Sequence, residues 1–319
     1  MYNYLLYIKK STLKISSIKI KNHLLKKNKF YKNKFLINPK KKIIYKNKRY
    51  KSKIKKNKYI LKTKMFVSTR CSFPNFSITW LSGLNEAKNN PTTLFPKLTP
   101  AIIKELGLEN GVEGSMSAFL LECDNKKALF DTGLNESMST GIPDRLKELK
   151  INPNEIDYIF ITHFHLDHIG GLINSKDEIY YKNAKIYVCK EEYDGWINKM
   201  PKDKNALQVK TMKICEKNVV QFNFGDELPL GVKAIKAFGH TPGHTVYQKG
   251  DFLIIGDLIH GQAIQFKYPE ICATYDHDEN GSIESRKNIL KYAKDNKLFV
   301  GGMHLQYSNS SMYQGFYKK

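Results

Sequence analysis

The sequence predicts an α/β fold in which two β-sheets are sandwiched between helices, preceded by a disordered basic leader. Three observations support this prediction. From about Asn75 onward, short apolar runs alternate with amphipathic stretches, and many of the runs are too continuous for half-exposed strands. The strands and helices are interspersed without strict βαβ alternation, which favours two sheets over one parallel sheet. Residues 1–65 contain no acidic side chain, whereas the rest of the chain has a mixed composition.

The positive charge of this 319-residue chain is concentrated in residues 1–65. This segment holds 23 of the 53 Lys and Arg side chains, and all 30 Asp and Glu side chains lie beyond it. Residues 66–319 therefore carry 30 basic and 30 acidic side chains and have no formal net charge. They are numerous enough for one large domain with a core, and we expect this domain not to bind nucleic acid.

Residues 1–65 also lack Gly, Ala and Val, which with Asp and Glu are the amino acids whose codons begin with G. This composition is typical of AT-rich DNA translated upstream of a gene, so we expect Met65 to be the true start and the protein to be cytoplasmic. An organelle-targeting segment is one alternative, although Arg49 is its only arginine. The other alternative is a disordered polybasic arm that binds nucleic acid or acidic lipid.

Neither a membrane span nor a disulfide framework is predicted. The uncharged stretch at residues 1–8 is far shorter than the ~20 apolar residues that cross a bilayer. The five cysteines are odd in number, widely spaced and never paired as CxxC. They favour a reducing compartment, in which the thiols pack as small apolar side chains.

The secondary-structure elements follow from apolar periodicity. Strands are predicted at 77–81, 118–122, 128–130, 156–161, 185–189, 219–222, 232–237, 252–255 and 298–300. Helices are predicted at 143–150, 191–198, 206–215 and 283–295. For the last helix we expect Ser282 to be the N-cap, with Glu284 at the positive end of the helix dipole.

The strongest functional signal directly follows the predicted strand 156–161. It is the run Thr162-His163-Phe164-His165-Leu166-Asp167-His168. If strand geometry continues, the three odd-numbered ligands point to one side and His168 to the other, so Asp167 and His168 face different parts of a metal cluster. Neutral imidazoles and a carboxylate suit Zn²⁺, and Mn²⁺ or Fe are chemically compatible.

Three later motifs place further ligands just after predicted strands. They are Gly239-His240-Thr241-Pro242-Gly243-His244, Gly256-Asp257 and Gly301-Gly302-Met303-His304. Loops at strand ends converge on one rim of a fold, where functional sites collect. For His244 we favour a role in orienting the His240 turn by hydrogen bonding over a role as a ligand.

Taken in order, these motifs resemble the metallo-β-lactamase superfamily in its dinuclear hydrolase form. Their order is similar to that of N-acyl-homoserine lactonases. The run from Gly256 to His260, with Gln265-Phe266 and Tyr275-Asp276, is closer still to the methyl-parathion-hydrolase-like branch. The resemblance covers about residues 76–309, within a hydrolase domain at 66–319. It implies an αββα sandwich, in agreement with the element prediction, and a homodimer.

The resemblance also implies two divalent metal ions, Zn²⁺ being favoured. The ligands would divide into two sets joined by a bridging carboxylate: His163, His165 and His240; Asp167, His168 and His304; and, between them, Asp257. The turn Phe130-Asp131-Thr132-Gly133 resembles an early turn of the family, whose Asp supports the metal loop.

The activity implied is that of a metal-dependent hydrolase. Two cations that share a water lower its pKa from 15.7 toward about 7, so a bridging hydroxide can attack an ester, lactone or phosphotriester. Asp167 is the candidate to orient the hydroxide and to pass its proton to the leaving group. His260 is the candidate hydrogen-bond donor to the substrate, where related lactonases have a tyrosine; structural packing is its alternative role.

Trp196 and Phe266 resemble apolar wall positions of this branch, which would favour an uncharged, hydrophobic small-molecule substrate. Packing in the core is the alternative for both aromatic side chains.

Other activities occur on the same metal motifs. A glyoxalase II-type thioesterase would need a basic cluster near the C-terminus, but residues 310–319 offer only Lys318 and Lys319. A nuclease or tRNA-processing enzyme would need many Lys and Arg contacts to phosphate, and residues 66–319 have no overall basic excess. A binding protein that had lost catalysis would be expected to lack ligands, and none is missing.

Overall fold

The computed structural model describes residues 6–7, 68–135, 141–200 and 206–314. The chain separates into two units, residues 1–9 with 64–319 and residues 10–63, and the second unit lies outside the described residues. Apart from residues 6–7, the predicted leader at 1–65 also lies outside them.

The strands are β1 Leu6–Tyr7, β2 Ser68–Ser72, β3 Phe76–Ser82, β4 Lys88–Asn90, β5 Val112–Gly114, β6 Ser117–Cys123, β7 Lys126–Phe130, β8 Tyr158–Phe160, β9 Lys185–Cys189, β10 Val219–Phe222, β11 Lys233–Lys236, β12 Thr245–Lys249, β13 Phe252–Ile254, β14 Phe299–Gly301 and β15 Met312–Tyr313.

The helices are shorter and lie between the strands. The α-helices are α1 Pro100–Leu106, α2 Gly141–Glu148, α3 Leu166–Ile169, α4 Lys190–Tyr193, α5 Ala206–Ile214, α6 Gln262–Gln265 and α7 Glu279–Asp295. A π-helix, Asp194–Lys199, follows α4 directly. Short 3₁₀ helices are found at Thr92–Leu94, Pro153–Glu155, Gly170–Leu172, Pro229–Gly231 and Tyr307–Asn309. Within the described part of the chain, no helix combines the length and the apolar composition needed to cross a bilayer.

Two large sheets organise the domain. One has the order β1-β2-β3-β6-β7-β8-β9-β10, the other β11-β12-β13-β14-β15, and β4 pairs separately with β5. In the first sheet β7, β8 and β9 run parallel, so their carboxyl ends lie at one edge. In the second sheet β11 and β13 are both antiparallel to β12, and β14 is parallel to β13. The carboxyl ends of β11, β13 and β14 therefore also share one edge.

The core has three apolar layers. Between the sheets, aromatic side chains from both meet, as where the ring of Tyr247 lies 5.7 Å from Phe130 and 5.5 Å from Phe160. On the outer face of the first sheet, Leu146 of α2 and Met212 of α5 are buried in a second cluster. On the outer face of the second sheet, α7 contributes Ile289. Helices thus cover both outer faces, which confirms the predicted αββα sandwich.

Several element predictions need correction. Strand β12 and helix α1 were not predicted, and the predicted helix at 191–198 is α4 followed by the π-helix. Helix α7 begins at Glu279, before the predicted start, because the Asp278 side chain accepts a hydrogen bond from Gly281 N at 3.2 Å and is the N-cap. The predicted cap, Ser282, lies inside the helix.

Candidate metal centre

The candidate site lies where the carboxyl ends of strands from both sheets meet. Strand β8 leads into the loop that carries His163, and β11, β13 and β14 lead into the loops of His240, Asp257 and His304. Side chains from all four loops reach Asp257, which is 2% exposed. His163 Nε2 lies 3.7 Å from Asp257 Oδ2, and His304 Nε2 lies 3.0 Å from the same oxygen. The structure thus brings all seven predicted ligand side chains together.

One side of the site is the three-histidine cluster, formed by His163, His165 and His240 around Asp257. His163 Nε2 and His165 Nδ1 lie 2.9 Å apart. His240 Nε2 lies 3.2 Å from His163 Nε2 and 3.0 Å from His165 Nδ1. Asp257 Oδ2 lies 3.6 Å from His240 Nε2. Three imidazole nitrogens therefore point at one small volume beside a carboxylate.

The other side is the carboxylate-rich cluster, formed by Asp167, His168 and His304 around the same Asp257. His168 Nε2 lies 3.2 Å from Asp257 Oδ1, and His304 Nε2 lies 3.3 Å from Asp167 Oδ2. The prediction that Asp167 and His168 face different parts of the site is wrong. Both lie in helix α3 and reach this one cluster, with His168 Nε2 3.7 Å from Asp167 Oδ1, because the local conformation is helical and strand alternation does not apply.

Hydrogen bonds on the far side of four histidines fix the orientation of the rings. In each case Nδ1 is the atom engaged: His163 with Thr162 Oγ1 at 3.0 Å, His168 with Asp131 Oδ2 at 2.7 Å, His240 with Asp276 Oδ1 at 2.9 Å, and His304 with the Ser115 carbonyl at 2.8 Å. Because Nδ1 donates in these pairs, Nε2 is the ring nitrogen that faces the centre, where it can bind an ion once it carries no proton. Such outer partners set the tautomer and orientation of metal-binding histidines.

The donor set fits divalent cations. Acceptor atoms that face one another repel unless a cation or a proton lies between them. Ligand nitrogens about 2.0–2.1 Å from a tetrahedral ion are ~3.3 Å apart, close to the nitrogen separations in the three-histidine cluster. In addition, His168 Nε2 and Asp257 Oδ1 are buried without a hydrogen-bond partner. Unpaired buried polar atoms are costly, so both atoms are suited to an ion.

The two clusters differ in their electrostatics. In the three-histidine cluster, burial lowers the pKa of His163 and His240 well below the usual value and lowers that of His165 to about 4. In the carboxylate-rich cluster, burial also acts to lower the histidine pKa values. There, however, Asp257 and the other nearby carboxylates outweigh it and raise the pKa of His168 and His304 well above the usual value.

His244, in contrast, lies outside both clusters. Its Nε2 accepts a hydrogen bond from Asp257 N at 3.0 Å, and its Nδ1 lies 3.2 Å from the carbonyl oxygen of Ala237. Both ring nitrogens are therefore used to hold the backbone of the Asp257 loop against the loop that leaves β11.

A cavity of about 340 Å³ opens over the clusters. Its floor contains Asp167, Asp257, His260 and His304, and its walls include Leu84, Leu94, Met116, Tyr275 and Lys88. His260 Nε2 lies 3.4 Å from Asp257 Oδ2, and neither ring nitrogen of His260 has a hydrogen-bond partner. The predicted catalytic candidates, Asp167 and His260, thus both border the cavity.

The two predicted wall aromatics lie elsewhere. Trp196 is buried with its ring 5.5 Å from His165, and Phe266 packs with its ring 4.7 Å from Tyr313. Neither side chain lines the cavity. The core-packing alternative therefore describes both residues better than the wall role.

Two buried carboxylates near the site were not assigned a role from the sequence. Asp276 accepts from His240 Nδ1, and it also accepts from Arg286 Nη2 at 3.0 Å. Glu192 accepts from the backbone of both histidine-bearing loops. The run Tyr275-Asp276 is part of the family resemblance described above, and this resemblance could have pointed to a role for Asp276. Nothing in the sequence around Glu192 distinguishes it from Glu191.

Comparison with known proteins places the chain in a family. A family model described as the metallo-beta-lactamase superfamily matches residues 111–302. The beta-lactamase-like protein 2 homolog of Caenorhabditis elegans is 32% identical over 180 residues, which is 52% of this chain and 52% of that protein. The chain thus spans about half the length of this relative.

Two solved structures have the same fold. AidC, described as a dizinc quorum-quenching lactonase in complex with a product, superposes with a TM-score of 0.67 at 23% identity, over 75% of this chain and 90% of AidC. The hydrolase AbOPH, described as in the beta lactamase superfamily, gives a TM-score of 0.65 at 28% identity, over 76% of this chain and 91% of AbOPH. Since the family model matches more than half of the chain, the chain belongs to the metallo-β-lactamase superfamily.

Proposed function

We propose that residues 66–319 form a dinuclear zinc hydrolase that cleaves an ester, lactone or phosphotriester bond in a small molecule. The observation that carries this proposal is the pair of clusters that share Asp257 at a cavity. The three-histidine cluster would hold one ion, the carboxylate-rich cluster would hold the other, and Asp257 would bridge them. Histidine nitrogens with carboxylate oxygens are a ligand set that suits Zn²⁺.

Two bound divalent ions would supply a water of lowered pKa and a positive charge for the oxygen of the scissile group. His168 and His304 outweigh the effect of burial and hold the pKa of Asp167 well below the usual value, so its carboxylate is ionised. An ionised Asp167 at the cavity floor can accept the proton of the attacking water and pass it to the leaving group. His260, with both ring nitrogens unpaired, can donate a hydrogen bond to the substrate.

The cavity supports a small substrate. Its volume of about 340 Å³ is at the lower end of the ~300–1,000 Å³ range of ligand pockets. Leu84, Leu94 and Met116 supply apolar wall area, which favours an uncharged acyl or aryl group.

Lys88 favours a second candidate function. Among the described residues that line the cavity, it is the only Lys or Arg. A lysine at the wall can pair with an anionic group on the substrate, as a glyoxalase II-type thioesterase would require. A thioesterase that acts on an anionic thioester is therefore the second candidate.

A substrate panel on the purified full chain tests the proposal. We expect about two equivalents of metal by elemental analysis, loss of activity with a chelator, and recovery with Zn²⁺. The substrates are a lactone, an aryl phosphotriester, S-lactoylglutathione and a structured RNA. Hydrolysis of either of the first two supports the proposed class, whereas cleavage of the thioester alone selects the second candidate.

Two other outcomes would contradict the proposal. Cleavage of RNA alone would identify a nuclease, and a metal-free preparation with full activity would exclude the metal mechanism. Light scattering on the same sample tests the expected homodimer.

A further inference from the structure

Glu192 links the two loops that carry the three-histidine cluster. Its side chain follows β9, is 1% exposed, and accepts a hydrogen bond through Oε1 from Phe164 N at 2.8 Å. Through Oε2 it accepts from Thr241 Oγ1 at 2.8 Å and from Gly243 N at 2.7 Å. Phe164 lies between two of the three histidines, and Thr241 directly follows the third. One carboxylate therefore ties together the two chain segments that supply all three imidazoles.

We infer that Glu192 is a positioning residue, which sets the spacing between these two loops and thereby the metal affinity of the three-histidine cluster. This inference rests on the proposed metal centre. Glu192 does not touch the cavity, so its effect would be exerted through the histidines.

The chemistry of the contact supports this role. A buried carboxylate is retained at a large desolvation cost, and here both oxygens are satisfied by donors, with one oxygen serving each loop. Burial raises the pKa of Glu192 to about 7, and its hydrogen bonds act in the opposite sense by stabilising the ionised form. An apolar side chain of similar size could fill the space but could not hold the two loops at a fixed distance.

The backbone around Glu192 is packed directly on the His240 loop. A Cβ atom added at Gly243 would lie 2.1 Å from Glu192 N, so the close approach requires glycine. A Cβ atom at Gly195 would lie 2.6 Å from Pro242 Cβ, which marks a second close contact with the same loop. The π-helix that contains Gly195 begins two residues after Glu192. Single-turn π-helices occur frequently at functional sites.

A different carboxylate, that of Asp131, holds His168 of the carboxylate-rich cluster in place. Asp131 engages His168 Nδ1 at 2.7 Å and accepts from Thr162 N at 2.8 Å. None of the hydrogen bonds of Glu192 reaches His168 or His304. The effect of Glu192 should therefore be largest on the ion of the three-histidine cluster.

Cobalt titration of the full chain tests this inference. Glu192→Gln keeps the shape of the side chain but places an amide NH₂ against one of its donors. We expect the affinity for one of the two Co²⁺ ions to fall by about 10–100-fold, the usual effect of losing an outer partner of a metal ligand. The affinity for the other Co²⁺ ion should change by less than about threefold. The affinities are measured by chelator competition, and the Co²⁺ absorption spectrum reports the altered histidine geometry.

Two further variants complete the experiment. Glu191→Gln is the matched control, since Glu191 is the adjacent glutamate and its Oε2 accepts from Cys189 Sγ and not from either loop. Thr241→Val removes one of the three donors with little change in shape, so it should give a smaller loss in the same direction. This variant also decides the question if Glu192→Gln does not fold.

The outcomes separate the inference from the proposed function. If the wild-type chain does not bind two Co²⁺ ions, the proposed metal centre is wrong. If the wild-type chain binds two ions and both Glu192→Gln and Thr241→Val bind them with wild-type affinities, only the role of Glu192 is overturned. Equal losses in Glu191→Gln and Glu192→Gln would also overturn it.

Discussion

The two halves of the candidate metal centre share Asp257 but differ in the pKa values of their histidines. In the three-histidine cluster, burial outweighs the attraction of the nearby carboxylates, and the pKa values of the imidazoles are lowered. In the carboxylate-rich cluster, Asp167, Asp257 and Asp131 surround His168 and raise its pKa. The same residue type thus has a lowered pKa on one side of Asp257 and a raised pKa on the other.

This difference shows how one shared carboxylate can serve two unlike sites. The three-histidine cluster presents neutral nitrogens, so a cation can bind without displacing a proton. In the carboxylate-rich cluster the raised pKa values of His168 and His304 favour bound protons, which a cation would have to displace. We therefore expect the three-histidine cluster to load first at neutral pH.

The largest effect should come from removing the shared residue. Asp257→Ala takes a ligand from both clusters, so we expect the metal content to fall below one equivalent. Turnover should fall by roughly 10³-fold, which is more than the ~10–100-fold loss expected when an outer partner of a metal ligand is removed. Elemental analysis and turnover at saturating metal measure this. Asp251→Ala, an exposed aspartate of the preceding turn, is the control. Retention of two metals by Asp257→Ala would show that Asp257 does not bridge.

Single-ligand variants should separate the two halves. His165→Ala removes a ligand from the three-histidine cluster, and His304→Ala removes one from the carboxylate-rich cluster. We expect each variant to lose about one equivalent of metal. We also expect turnover to fall by roughly 10²-fold, at the upper end of the ~10–100-fold loss that follows removal of an outer partner of a metal ligand. Their Co²⁺ spectra should differ, since different ligand sets remain. Identical spectra and stoichiometries would mean that the site does not divide in this way.

Variants of the carboxylates that hydrogen-bond to the metal-binding histidines should also separate the two clusters, with a smaller effect on metal affinity. Asp276→Asn weakens the hold on His240, and Asp131→Asn weakens the hold on His168. Each should reduce the affinity of its own cluster by roughly 10–30-fold. Asp177→Asn, on an exposed turn, is the control for the Asp-to-Asn change. Thermal unfolding of the metal-free variants checks that the fold is retained, and a loss confined to the opposite cluster would contradict the assignment.

The two ions should also differ in the pH dependence of their binding. Since the pKa values of His168 and His304 are raised, these side chains are protonated at neutral pH in the metal-free protein. The affinity for the second ion should therefore rise with pH, by up to about tenfold per unit for each proton displaced. The affinity for the first ion should be nearly flat between pH 6 and 8. Calorimetry in buffers of different ionisation enthalpy counts the protons released, and equal release for both ions would contradict the comparison.

Much of the fold could be predicted from local patterns. Strands β9 and β10 have the predicted bounds, because each is a continuous run of strand-forming residues between polar turns. Strand β12 was not predicted, although Pro242-Gly243 and Gly250-Asp251 are turn signals on either side of it. Helix α3 was missed because four residues are too few for a helical period, and tertiary contacts decide their conformation.

The candidate site could be predicted in part, because its ligand positions also form local sequence patterns. Its seven ligand positions lie in short motifs after strands, and the structure brings all seven together. Glu192 and Asp276 could not be assigned, because their partners lie in loops distant in the chain. Glu192 is separated from Gly243 by 51 positions, and Asp276 from His240 by 36. No local pattern shows which exposed or buried carboxylate will meet such a loop.

The order of the ligands along the chain has a consequence for biosynthesis. The ligands of the three-histidine cluster are complete once residue 257 has left the ribosome, whereas the other cluster waits for His304, which lies beyond β14. A nascent chain can therefore acquire its first ion while the second sheet is still being translated. The ion would then tie the β8 and β11 loops together before the last strands arrive, so the availability of zinc during translation would influence how efficiently the two sheets join.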